Sequence, residues 1–181
     1  MTEQPDLDTL IRPERASVRI RRTNLHGSDA VAVTHLVRTY LLQTEDEKRE
    51  HGIAVPSPPG SLPPRYRQEA DDPALAYAGC VVLIAELDDQ PVGVVVIRPV
   101  AGEAEVKRFW TDPSVRGRGV GGALLDAALE VAGSPVRLSV WHWRDAAIRL
   151  YESRDFLRVE SWEDREALVC MVRHRDTLPL R

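Results

Sequence analysis

One stretch limits the fold more than any other. From Arg108 the chain reads RFWTDPSVRGRGVGGALLDAALEV, and a strand-like lead-in meets four glycines and two arginines within 116–122 before a helical pattern begins. Residues 103–111 read as a strand. After the glycines, Val120, Leu124, Ala128 and Val131 mark one helical face, and Gly133 with Pro135 stops the helix. A helix start leaves amide hydrogens without intrahelical partners and carries partial positive charge, so it suits a phosphate. Glycines let oxygen atoms approach the backbone. Arg116 and Arg118 add guanidinia able to pair with phosphate bidentately. The segment reads as a pyrophosphate cradle; the plainer alternative is that the glycines only permit a tight turn and close helix packing.

Gly117, Gly119 and Gly122 also satisfy GxGxxG, a weak signal by itself. A dinucleotide-binding unit needs an acidic residue at the end of the next strand, where this chain has TrpHisTrpArg. A P-loop needs LysSer or LysThr after its glycines, and neither is present.

The flanking sequence supplies strands and helices in a definite order. Residues 1–16 are polar and read as a flexible N-terminal arm, leaving 17–181 as a single domain. Residues 17–22 alternate as a half-buried strand, and Ser28 offers an N-cap for a helix with Val33, Leu36, Val37, Tyr40 and Leu41 on one face. From 43 to 79 the chain turns polar, with TEDEKRE and SPPGSLPPRYRQ, and reads as irregular apart from a short helix near 65–70. Residues 80–86 and 92–98 read as an antiparallel hairpin that 103–111 extends. Residues 136–143 form a further strand, Asp145 caps a helix over AAIRLYESR, and 157–162 with 167–174 close as a hairpin. The order is βα, an irregular segment, βββ, α, β, α, ββ, which means helices covering a mixed sheet in an α/β (mixed α+β) fold.

Composition removes other classes. A net charge of −4 provides no footprint for nucleic acid. No apolar run approaches the length of a membrane span, and 1–17 lacks a cationic region followed by an apolar core, so a cytoplasmic protein with no membrane partner is expected. Cys80 and Cys170 stand apart without CxxC or His-rich neighbours, so they read as packing residues and no metal site is expected.

At Arg116–Gly121 the sequence resembles the Arg/Gln-x-x-Gly-x-Gly motif of the GNAT family of N-acetyltransferases. EVKRFWTDP resembles that family's fourth strand, and AAIRLYESRDF its last helix and the start of its closing hairpin. Two departures stand out: Arg144 where many members have asparagine, and Asp155 in place of a glycine before the phenylalanine.

The resemblance implies a three-layer fold. It has a mixed central sheet of about seven strands, helices on both faces, and parallel fourth and fifth strands that splay. It also implies acetyl-coenzyme A as acyl donor. Phe109, Trp110 and Thr111 would line the acyl arm, and Arg116, Gly117, Arg118, Gly119, Val120, Gly121 and Gly122 would hold the pyrophosphate, with Arg144 near a phosphate. Tyr151 falls on the family's LeuTyr pair, where the phenol protonates the departing thiolate. Keeping an alkyl amine neutral at pH 7 costs about 4–5 kcal/mol, so a general base helps, and Glu105 is the candidate, with Glu103 and His142 behind it. Tyr40, Glu105 and His142 are candidate acceptor contacts, and Tyr66 and Arg67 plausible lining. The acceptor expected is a small-molecule primary amine. A protein amine, or a non-catalytic acyl-coenzyme A sensor, are the alternatives. The oligomeric expectation is monomer or homodimer.

Overall fold

In the computed structural model, which describes residues 17–58, 60–133 and 135–174, seven strands form one sheet in the order β1-β2-β3-β4-β5-β7-β6. They are β1 (Val18–Arg22), β2 (Val81–Leu87), β3 (Gln90–Val100), β4 (Glu103–Thr111), β5 (Val136–Trp141), β6 (Leu157–Val159) and β7 (Leu168–Arg173). Neighbours run antiparallel except β4 and β5, which are parallel. The helices are α1 (Asp29–Glu50), α2 (Arg67–Asp71), α3 (Pro73–Ala76), α4 (Val120–Ala132) and α5 (Asp145–Glu152). The expected arm, 1–16, lies outside the described residues.

Alternation along the strands divides the core into two halves. Val82, Ile84, Val94, Val96 and Trp110 pack against Val33, Leu36, Val37, Tyr40 and Leu41 of α1. Leu83, Ala85, Val95, Ile97, Val106 and Leu138 face α4 and α5 through Leu124, Leu125, Ala128, Ile148 and Tyr151. Both faces of β2 are covered, so VVLIAEL is apolar at nearly every position rather than at every second one.

Four local expectations are corrected. The helix beginning at Asp29 does not end near Leu41 but runs 22 residues to Glu50, absorbing TEDEKRE. Gln, Glu and Lys are good helix formers. Pairs three and four apart, Lys48 to Glu45, Arg49 to Asp46 and Gln43 to Glu47, extend the helix, and Lys48 and Arg49 suit its C-terminal dipole. Ser28 makes no capping bond; Asp29 instead accepts from the Asn24 amide at 2.7 Å and from Arg21. Asp145 is the first residue of α5 rather than its cap. Val131 is exposed, and Leu125 and Leu129 complete the buried face of α4.

Candidate functional site

Where β4 passes β3, Val94 pairs with Trp110 and Val96 with Lys107, so Arg108 and Phe109 together face the single residue Val95. This is a β-bulge, and Arg108 carries it at φ 52°. The parallel pairing of β4 with β5 is short: Ala104 with Val136, Glu105 with Arg137, and nothing beyond. The two strands then diverge. Between them lies a cavity of about 120 Å³, walled by Lys107, Phe109, Ser139, Trp141 and, from the helices, Tyr40 and Tyr151.

A larger cleft of about 730 Å³ adjoins it and shares Phe109, Arg144 and Ala147 with it. The floor of the cleft is Phe109, Trp110 and Thr111; its side is the start of α4. Gly117 and Gly119 have φ of 76° and 80°, so these two glycines are required by the turn. Gly121 is not. A β-carbon there would meet Leu150, Phe109 and Thr111 at 3.7–3.9 Å, ordinary contact distances, so its bareness leaves space in the cleft rather than relieving the chain. With the first-turn amides of α4 lacking helical partners, this end of the cleft fits a diphosphate. The floor, bounded by the bulge, fits an extended acyl arm.

The end of α1 closes the other side. Gln43, Glu47 and His51 line the cleft, and three tryptophans tie them down. Trp110 Nε1 donates to Gln43 Oε1 at 2.8 Å, Trp143 Nε1 donates to Glu47 at 3.0 Å, and Trp143 stacks between His51 and Trp141 with centroids 4.0 and 5.0 Å away. Arg144 donates to Glu47 at 2.8 Å and to Thr44 at 2.7 Å, so its guanidinium is engaged with α1. Burial works against the Glu47 charge, but Arg144 and the bonds from Trp143 and Gln43 outweigh it and hold the carboxyl below its usual range.

Two phenols in the small cavity are pushed in opposite directions. Burial raises Tyr151, with Tyr40 adding to the effect and Arg144 opposing it, so Tyr151 stays protonated. Burial also works to raise Tyr40, but Arg144 and Arg108 lie 5.2 and 5.8 Å from its ring and hold it below the ordinary phenol range. Arg108 in turn donates to both oxygens of Glu69 at 2.6 and 2.7 Å, and Tyr77 donates to the same carboxylate. Glu105 is buried and receives Arg98 through Nε at 2.9 Å and through a terminal nitrogen.

Of the residues singled out in the sequence, Phe109, Trp110, Thr111, Arg116, Gly117, Gly119, Val120, Gly121, Gly122 and Arg144 line the large cleft. Tyr40, Glu105 and Tyr151 line the small cavity, with Tyr66. Arg118 borders neither, and His142 is exposed against the edges of Trp143 and His51. Sequence reasoning missed Gln43, Thr44, Glu47, Lys107 and His51. The available signal was helix propensity through 42–50, which brings the α1 residues over the diverging strands. Among the described residues no group of three or more His, Cys, Asp or Glu is placed to hold a metal, and no helix is long and apolar enough to cross a membrane.

Known proteins share this fold. The acetyltransferase (GNAT) family model matches residues 42–156, more than half of the chain. Mycothiol acetyltransferase from Clavibacter sepedonicus is 48% identical over 69 residues, which are 36% of this chain and 21% of that protein. The chain therefore spans only about a fifth of that relative's length. Among solved structures, the PaiA N-acetyltransferase of Thermoplasma acidophilum in complex with coenzyme A has a TM-score of 0.62 at 16% identity, covering 88% of this chain and 99% of that one. A GNAT-family acetyltransferase from Staphylococcus aureus Mu50 has a TM-score of 0.63 at 14% identity, covering 87% and 99%. At such identities the likeness is one of fold.

Proposed function

The chain belongs to the GNAT family of acetyltransferases, whose acyl donor is acetyl-coenzyme A, and we propose that it acetylates the primary amine of a small molecule by direct transfer. The observation that carries this reading is the joined pair of cavities: a glycine-edged cleft meets a small polar chamber through Phe109, Arg144 and Ala147. The chamber is roofed by Tyr40 and Thr44 of α1 and by Tyr66, which suits a compact acceptor better than a peptide laid in an open groove. The partial likeness to a protein named for mycothiol acetylation supports the same choice.

When bound, the donor supplies an activated acetyl thioester. The protein's own groups then divide the work. Backbone amides at the bulge and just past it, of Phe109 and Trp110, orient and polarise the carbonyl. Glu105 takes the amine proton, and Tyr40, held towards ionisation by two guanidinia, is a second acceptor in reach of the chamber. Tyr151 returns a proton to the leaving sulfur. As the amine nitrogen bonds to the acetyl carbon, the carbon–sulfur bond breaks and the proton lost by nitrogen is matched by one gained at sulfur.

Release of free thiol from acetyl-coenzyme A, measured across small amines, amino acids and lysine-bearing peptides, tests the reading. Small acceptors should release thiol, and Tyr151→Phe should lower kcat by about tenfold to a hundredfold at saturating acceptor. Release with peptides alone would transfer the reading to a protein acceptor. Donor binding without release from any acceptor would make the chain a sensor.

A further inference from the structure

The charges around the small cavity pair off, except one. Glu105 is held by Arg98, Glu69 by Arg108, Glu47 by Arg144, and Glu163 by Arg165 with Ser139 at 3.0 Å. Each carboxylate has its guanidinium. Lys107 also lines this cavity, yet its ammonium makes no hydrogen bond or ion pair with a side chain among the described residues. It is half-buried on β4, beside the bulge. The groups acting on it come from four sides: Glu105 and Arg108 on its own strand, Arg98 on β3, Glu69 on α2, and Glu163 from the segment before β7. Burial lowers the Lys107 pKa; Arg108 and Arg98 press the same way, while Glu105 and Glu69 oppose them.

A cation that is partly desolvated and short of a partner gains more from an incoming anion than a solvated lysine would. A cationic acceptor meets the reverse situation, because no carboxylate of the cavity is left unpaired. Beyond Trp141 and Arg165, which border both spaces, the cavity adjoins an outer vestibule of about 640 Å³. Its walls are Ile53, Val55, Trp141 and Ala167 with the charged Lys48, Arg65, Arg165 and Glu166, and Ile53 and Val55, 44% and 52% exposed, offer an apolar side chain its contact surface there.

We propose that Lys107 is the counter-ion for a carboxylate carried by the acceptor. The acceptor is then an amino acid with an apolar or aromatic side chain, its carboxylate at Lys107 and its side chain in the vestibule. This rests on the acetyltransferase reading above and narrows its acceptor class.

The test compares kcat/KM for both enantiomers of phenylalanine, for phenethylamine, which lacks the carboxylate, and for spermidine, with acetyl-coenzyme A as donor. One phenylalanine enantiomer should exceed phenethylamine by about thirtyfold or more, mainly through KM. Lys107→Met should collapse that ratio towards one by raising the KM for phenylalanine, and Lys107→Arg should retain part of it. The Kd for acetyl-coenzyme A, measured on each variant, reports whether the fold is intact. Equal use of phenethylamine or spermidine by the unaltered protein overturns the inference and leaves the acetyltransferase reading standing. So does a ratio that survives Lys107→Met. Thiol release from no amine at all removes both.

Discussion

A methyl group added at Gly117 and one added at Gly121 would report different things. Gly117 holds φ 76°, so Gly117→Ala should strain the turn by about 1–2 kcal/mol and lower the melting point. At Gly121 the same methyl finds ordinary contacts, and alanine favours the helix by up to about 1 kcal/mol. Gly121→Ala should therefore leave thermal stability equal or higher while weakening acetyl-coenzyme A binding about tenfold, read by calorimetry. Unchanged affinity would mean that the glycines serve the turn alone. The sequence pattern marked all four glycines together; only backbone angles and the space around each one separate Gly117 and Gly119, required by the turn, from Gly121, which leaves room, and Gly122, where a β-carbon would lie 3.1 Å from Arg154.

The bulge in β4 and the far end of α1 depend on ion pairs that no local pattern announces. Arg108→Ala removes the partner of Glu69 and leaves a carboxylate in a half-buried setting beside the Tyr77 hydroxyl. The expected cost is about 3 kcal/mol, a melting point roughly 6–12 °C lower; Glu69→Gln, which keeps the side chain's shape and one of its two acceptor oxygens, should cost less. Equal losses would show that the pair's charge is what matters. The same kind of contact explains why TEDEKRE reads as a solvated run and is not one. Thr44, Glu45 and Lys48 are buried because Lys48 and Arg65 both reach Glu45, Arg144 bonds Thr44, and Lys48 lies 5.8 Å over the Trp141 ring. Apart from the local Lys48–Glu45 pair, those partners are 20 to 100 residues apart in sequence. Periodicity within a window stops at Leu41 because the buried face beyond it is made of polar residues.

Across the whole molecule, several carboxyls sit below their ordinary range because arginines face them: Asp29 through Arg21, Glu47 through Arg144, Glu69 through Arg108. Each has its usual affinity for protons when the chain unfolds, so each stabilises the fold above about pH 4.5 and loses that contribution as pH falls through its lowered folded value. Denaturation midpoints should be flat from pH 6 to 5 and drop steeply below about pH 4.5, and Arg108→Ala should shallow that drop. Strand order and the helix after the glycines were legible from alternation and from the glycine stop at 133, because those signals are local. The chamber has no such local signal, since it exists only where two strands part, and the expectation that they part rests on the family resemblance alone. That parting has a mechanical consequence. The seven strands are one sheet by virtue of two residue pairs, Ala104 with Val136 and Glu105 with Arg137. Four strands stand on one side of that joint and three on the other, and past it each inner strand presents an open edge to its neighbour. A ligand lying in the gap is the tie-bar between two half-sheets, so the protein's stiffness belongs in part to whatever it carries.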